Sequence, residues 1–204
     1  MSANRRITPS FISSLAGYLI IANVILSMTL SILLGNLGFS PFDYRVEDYG
    51  MKNGNGSIFY NAGIMVTGTL LCIFILGFYR WYSQNKLFNT VMITGQICGI
   101  IAGITLVLEG YTIHFHHMNP FIWMILFYIA VIIAIIMATA NMLMRPDQHE
   151  DTIIIGAASI TLIMLLAATT ILNIAPVITE WLALSAIVIW LGLASRDMHK
   201  LSLS

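Results

Sequence analysis

Six times along this chain an apolar run of about 20 residues passes with no Lys, Arg, Asp, Glu or His at its middle. That is the length an α-helix needs to cross a bilayer core of about 30 Å at 1.5 Å per residue. Lipid offers no hydrogen bonds, so each such segment must satisfy its own backbone, and an α-helix does so. The runs fall at about 11–35, 58–80, 87–109, 120–144, 152–173 and 177–195. They predict an all-α fold: a polytopic membrane protein, a six-transmembrane-helix bundle in one domain over 1–204. Charged residues make up 9% of the chain, against about 25% in soluble domains. So few charges cannot cover a water-facing surface. The formal net charge of zero argues against a nucleic-acid partner, which calls for a basic face.

Basic residues set the expected orientation. With the N-terminus inside, Arg5, Arg6, Arg80, Lys86, Arg145, Arg196 and Lys200 are cytoplasmic, and only Arg45 and Lys52 lie outside. Both termini are therefore expected in the cytoplasm, in a multi-pass protein of the cell (plasma) membrane. The first run follows Arg5-Arg6 but is longer than a signal-peptide core and lacks a small-x-small cleavage site, so it reads as a retained span. Pro176 predicts a tight hairpin between the last two spans. The outer loop, 36–57, is expected to have an ordered acidic half and a flexible half in its Gly/Asn stretch, 50–56. Cys72 and Cys98 fall in apolar runs and read as buried thiols, with no CxxC spacing.

Helices associate in lipid through small residues and polar contacts. Gly95, Gly99 and Gly103 form a double GxxxG, expected to be the packing spine of the bundle. The same stripe is the candidate surface for a homo-oligomer or another membrane partner. Asn23, Ser27 and Ser31 share one helix face. They read as packing groups or as a polar lining for a lipid headgroup or small solute.

The chemistry gathers at the outer ends of the spans. Glu109, His114, His116, His117, Glu180, Tyr60 and Asn61 form a candidate ligand-binding pocket there, with Asp43, Glu47 and Asp48 of the loop nearby. Three histidines and a carboxylate are zinc-type ligands. Glu109, His114, His116 and His117 are thus the candidate metal set, with His-x-His on one face of an extended segment. No helical HxxxH, GxSxG, nucleotide loop or Rossmann pattern accompanies them, and no cofactor is expected. Three functions follow. The leading one is a non-enzymatic, lipid-interacting or complex-forming protein with membrane lipids as partners. The second is a metal-dependent membrane hydrolase acting on lipid through the Glu/His cluster. The third is a small-solute transporter or channel; the absence of mid-span charge weighs against ion coupling.

The stretch 58–80 resembles the second span of a six-span prokaryotic membrane family, the domain-of-unknown-function 998 group. Asn61, Gly63, Gly68, Gly77, Tyr79 and Arg80 carry the likeness. The Leu-Gly-Asn-Leu-Gly run at 34–38 is similar to that family's turn after span one. A glycine-rich third span ending in an acid, then histidine before span four, also fits. Here the first outer loop is longer and the histidine is tripled. The wider architecture is similar to six-span Frag/DRAM-type proteins. The resemblance implies six helices and membrane residence, and no settled activity.

Overall fold

The computed structural model describes residues 8–82, 85–115, 120–143 and 146–203, and among them it contains helices and no strands. In chain order the α-helices are α1 (Pro9–Leu34), α2 (Asp48–Met51), α3 (Gly56–Leu76), α4 (Lys86–Phe115), α5 (Pro120–Met142), α6 (Pro146–Leu172) and α7 (Pro176–Leu203). A 3-10 turn, Gly77–Trp81, continues α3. All but α2 contain a segment long and apolar enough to cross a membrane, giving six candidate spans. This is the architecture of a multi-pass membrane protein.

Local chemistry explains the boundaries. Thr8 caps α1 by accepting from the Phe11 N–H at 3.3 Å, with Pro9 in the first turn. Asn173, at φ 54°, ends α6. The Ile174 N–H bonds the Thr169 carbonyl at 2.9 Å and the Asn173 N–H bonds that of Thr170 at 3.3 Å. That is a Schellman closure, and Pro176 then starts α7, as the expected hairpin requires.

The six long helices form a closed ring, in which α1 meets α3, then α4, α5, α6, α7 and α1 again. Helices α3 and α4 cross closely, and a methyl on Gly103 would lie 2.7 Å from the Gly68 carbonyl oxygen. Gly99 meets Ile75 of α3, but Gly95 meets Met137 of α5. The glycine stripe is thus shared between two neighbours inside the chain. The polar stripe of α1 faces α3: Asn23 donates to the Gly63 carbonyl at 2.8 Å and to Thr67 at 2.9 Å, and Ser27 packs on Gly63.

The two ends of the ring are built differently. At the end holding the chain termini, Phe74, Phe78, Trp81 and Trp190 are buried and stacked, with neighbouring centroids 4.6 to 6.4 Å apart. The end bearing the long loop keeps an internal space.

Two expectations are corrected. Helix α4 runs on to Phe115, because Gly110 to Phe115 continue the helical bonding. Glu109 and the backbone of His114 are therefore helical, rather than a span end and a loop. The Gly/Asn half of the loop is pinned at Gly50, Asn53 and Gly56, which are buried. Asn53 is fully buried, donates to the Ser31 carbonyl at 2.7 Å and accepts from the Leu37 N–H at 2.6 Å. The glycines allow this approach: a side chain on Gly56 would strike the Ser31 carbonyl.

Candidate functional site

The loop half of the ring encloses a cavity of about 400 Å³, within the range of small-molecule sites. Its walls come from α1, α3, α4, α5 and α7 and are mostly aliphatic. Leu71, Ile75, Ile135 and Trp190 form the floor, directly above the aromatic stack. Val46, Glu47 and Trp181 form the roof.

The roof is anchored. The Trp181 indole N–H donates to the Tyr44 carbonyl at 3.0 Å. Its ring meets Phe39 and Tyr49 edge-on, with centroids 5.4 and 6.0 Å away. Tyr49 in turn donates to the Gly38 carbonyl at 3.0 Å. The first loop is therefore a lid tied to α7 at Trp181 and to α1 through Asn53.

Three carboxylates line the cavity below this lid: Glu47 from the loop, Glu109 from α4 and Glu180 from the start of α7. They are 8%, 4% and 3% exposed. The Glu109 carboxyl group has no hydrogen bond or ion pair with any described residue. One oxygen of Glu47 lies 3.7 Å from the Arg45 guanidinium, and the other is buried without a partner. Burial pushes the Glu47 carboxyl above its ordinary range, and Arg45 pulls it partly back. Glu180 has the Val46 backbone amide beside it and sits near the N-terminus of α7, where the helix dipole favours an anion. Tyr60 and Tyr128 lie within electrostatic reach of both Glu109 and Glu180.

Of the residues expected to converge, Glu109, Glu180 and Tyr60 do so. Asn61 instead turns to α2 and donates to the Gly50 carbonyl at 3.2 Å. His114 contributes its backbone to the last turn of α4, so it is not in the extended segment expected for His-x-His. His116 and His117 lie outside the described residues. Among the described residues no three His, Cys, Asp or Glu side chains are grouped to hold a metal ion. The other loop acids face away: Asp43 accepts from Ser40 at 2.5 Å and Asp48 pairs with Lys52 at 2.7 Å.

The cavity also reaches the lipid-facing surface. Helices α1 and α7 touch near the termini, where Ser14 donates to the Ser195 carbonyl at 3.1 Å and a methyl on Gly192 would lie 3.0 Å from Ile21. Further toward the loop, Ile25 of α1 and Ser185 and Ile189 of α7 all belong to the cavity wall. Yet Ile25 is 61% and Ile189 53% exposed. Side chains that face both the cavity and the outside mark a seam between these helices.

Two contributors escaped sequence reasoning. Tyr128 is the only hydroxyl in an otherwise aliphatic and aromatic run of α5, and that isolation was the available signal. The second is a buried cluster at the termini end. Asp197 accepts from Thr152 at 2.6 Å and pairs with His149 at 3.0 Å. Nothing in spacing links residues 45 positions apart. No family model, curated protein or solved structure matches the chain.

Proposed function

We propose that this protein binds a membrane amphiphile, admitting it sideways from the bilayer between α1 and α7 and holding its apolar part in the cavity. The observation that carries this reading is the seam. Residues exposed on the bilayer side also line an aliphatic chamber whose polar groups gather at one end. A chamber apolar in its depth and carboxylate-bearing at its rim matches the two-part chemistry of an amphiphile. We read the role as binding rather than catalysis, since among the described residues no nucleophile, general base and oxyanion donors converge at the rim. The basic-residue bias supports an orientation with the loop end, and hence the headgroup, on the outer face of the cell membrane. The likeness to the domain-of-unknown-function 998 group is part of the same proposal. The positions that carry it in α3, Gly63 and Gly68, lie at the crossings with α1 and α4.

Native mass spectrometry of protein released from lipid nanodiscs tests the reading. Wild type is expected to retain one amphiphile after annular lipid has been stripped. Val131→Trp fills the chamber and Ser185→Trp obstructs the seam; each is expected to lower occupancy at least tenfold, with the thermal unfolding midpoint retained. Equal occupancy in wild type and both variants overturns the proposal.

A further inference from the structure

The amphiphile reading leaves the headgroup open, and the rim is specific on that point. Three carboxylates from three separate elements face one space, and among the described residues the Arg45 guanidinium is the cation set against them. Lys52, the other cation of the loop, is 2.7 Å from Asp48 and its side chain is 64% exposed. Among the described residues the rim therefore holds three buried acids against one cation. It is also rich in acceptors. The Glu109 carboxylate is 4% exposed, lines the cavity and has no donor among the described residues. The second oxygen of Glu47 is buried and unpaired. A buried carboxylate without a partner costs several kcal/mol to keep ionised, and a cation that enters beside it offsets that cost.

Aromatic rings complete the surroundings. Tyr60, Tyr128 and Trp181 line the same space as the carboxylates. Ring faces attract ammonium groups, more strongly once water is excluded. Carboxylates and aromatic rings around an enclosed volume are the surroundings an organic cation requires. An anionic head would oppose ionisation of all three acids, and an uncharged polyol would bring them no countercharge.

We infer that the site selects an amphiphile with a cationic amine or quaternary ammonium head, held by Glu109, Glu180 and Glu47 beneath the lid with its tail in the aliphatic chamber. This rests on the binding reading above and adds the charge of the ligand to it.

The test is a headgroup series on one tail. Dodecyltrimethylammonium, dodecylamine, dodecyl maltoside and dodecyl sulfate are titrated into the full-length protein in nanodiscs, with native mass spectrometry as the readout. The two cations are expected to bind at least tenfold more tightly than the maltoside, and the sulfate more weakly still. Glu109→Gln is expected to remove most of that preference, with the two cations losing at least tenfold more affinity than the maltoside. Glu180→Gln is the parallel variant should Glu109→Gln fail to fold. Tetramethylammonium, which has the head without the tail, is expected to bind at least a hundredfold more weakly than dodecyltrimethylammonium. Equal affinity for cation and maltoside, or a preference for sulfate, overturns the headgroup inference while binding itself stands. Tight binding of tetramethylammonium moves the ligand from bilayer to water and overturns it too. Failure of every member to bind overturns both readings.

Discussion

The bundle buries a carboxylate at each end, and the two are treated in opposite ways. Asp197, near the termini, is 1% exposed and has both oxygens engaged. One accepts from Thr152 and meets His149; the other faces Arg196 at 3.3 Å and Lys200 at 3.9 Å. The Trp81 ring closes the cluster edge-on to His149, with centroids 6.0 Å apart. Glu109, near the loop, is buried almost as deeply, and its carboxyl group faces open space without a partner among the described residues. A satisfied buried acid ties helices together, whereas an unsatisfied one at a cavity wall does nothing for the empty fold. The termini end therefore reads as the fastening of the ring and the loop end as its receptive part.

Substitution of each acid separates these roles most sharply. Asp197→Ala leaves His149 and Thr152 without their shared acceptor and is expected to cost about 3 kcal/mol. In a chain of this size that lowers the unfolding midpoint by on the order of 10 °C. Glu109→Gln is expected to leave the midpoint unchanged or raise it slightly. Thermal unfolding of both variants in the same detergent decides the matter. A comparable loss in each would mean that Glu109 is a structural group like Asp197, and the contrast would break.

Much of this was legible in the sequence, for reasons that also explain the rest. Apolar run length marked all six long helices, because the bilayer penalises any other arrangement. The hairpin at Pro176 was equally plain. Glu109, Glu180 and Tyr60 were placed at one end because each lies near the same end of its span. What single-residue patterns could not show was continuation of a helix past a charge. Glu109 looked like a stop, yet Thr112 donates back to its carbonyl at 3.1 Å and the helix proceeds. The same continuation of α7 past Ser195 buries Asp197 beside His149, a contact across 48 positions that has no local signature. Partner choice was also invisible: Gly95 and Gly99 sit on one stripe but touch different helices.

The lid provides a middle-sized test. Trp181→Ala removes the bond to the Tyr44 carbonyl and the edge contacts to Phe39 and Tyr49. The loss is roughly 1–2 kcal/mol and should fall on the loop end alone. Hydrogen exchange is expected to speed up about tenfold at the amides of 38–49, while those around Asp197 keep their protection. Uniform acceleration at both ends would show that the two regions unfold as one unit and that the lid has no independent looseness.

The finest test is a pH dependence at Glu47, the one rim acid outside the membrane-spanning segments. Burial raises its affinity for a proton in the folded state above the ordinary value of 4.5, with Asp48 adding to the rise and Arg45 and Lys52 opposing it. The folded chain thus takes up this proton at a higher pH than the unfolded chain does. Stability is expected to increase as the pH falls through the raised value and to level off below the ordinary one. Above the raised value the ionised group carries its full penalty. Glu47→Gln should therefore raise the unfolding midpoint by about 2 °C at pH 8, as the removal of the charge from one buried, half-paired group, worth about 1 kcal/mol. At pH 4 the two proteins should unfold together. The Arg45 contact, at 3.7 Å with a guanidinium 26% exposed, is too open to reverse that sign. A variant that is instead less stable at pH 8, and recovers on acidification, would place Glu47 with Asp197 among the fastening groups. It would then leave Glu109 and Glu180 alone as the receptive charge of the rim.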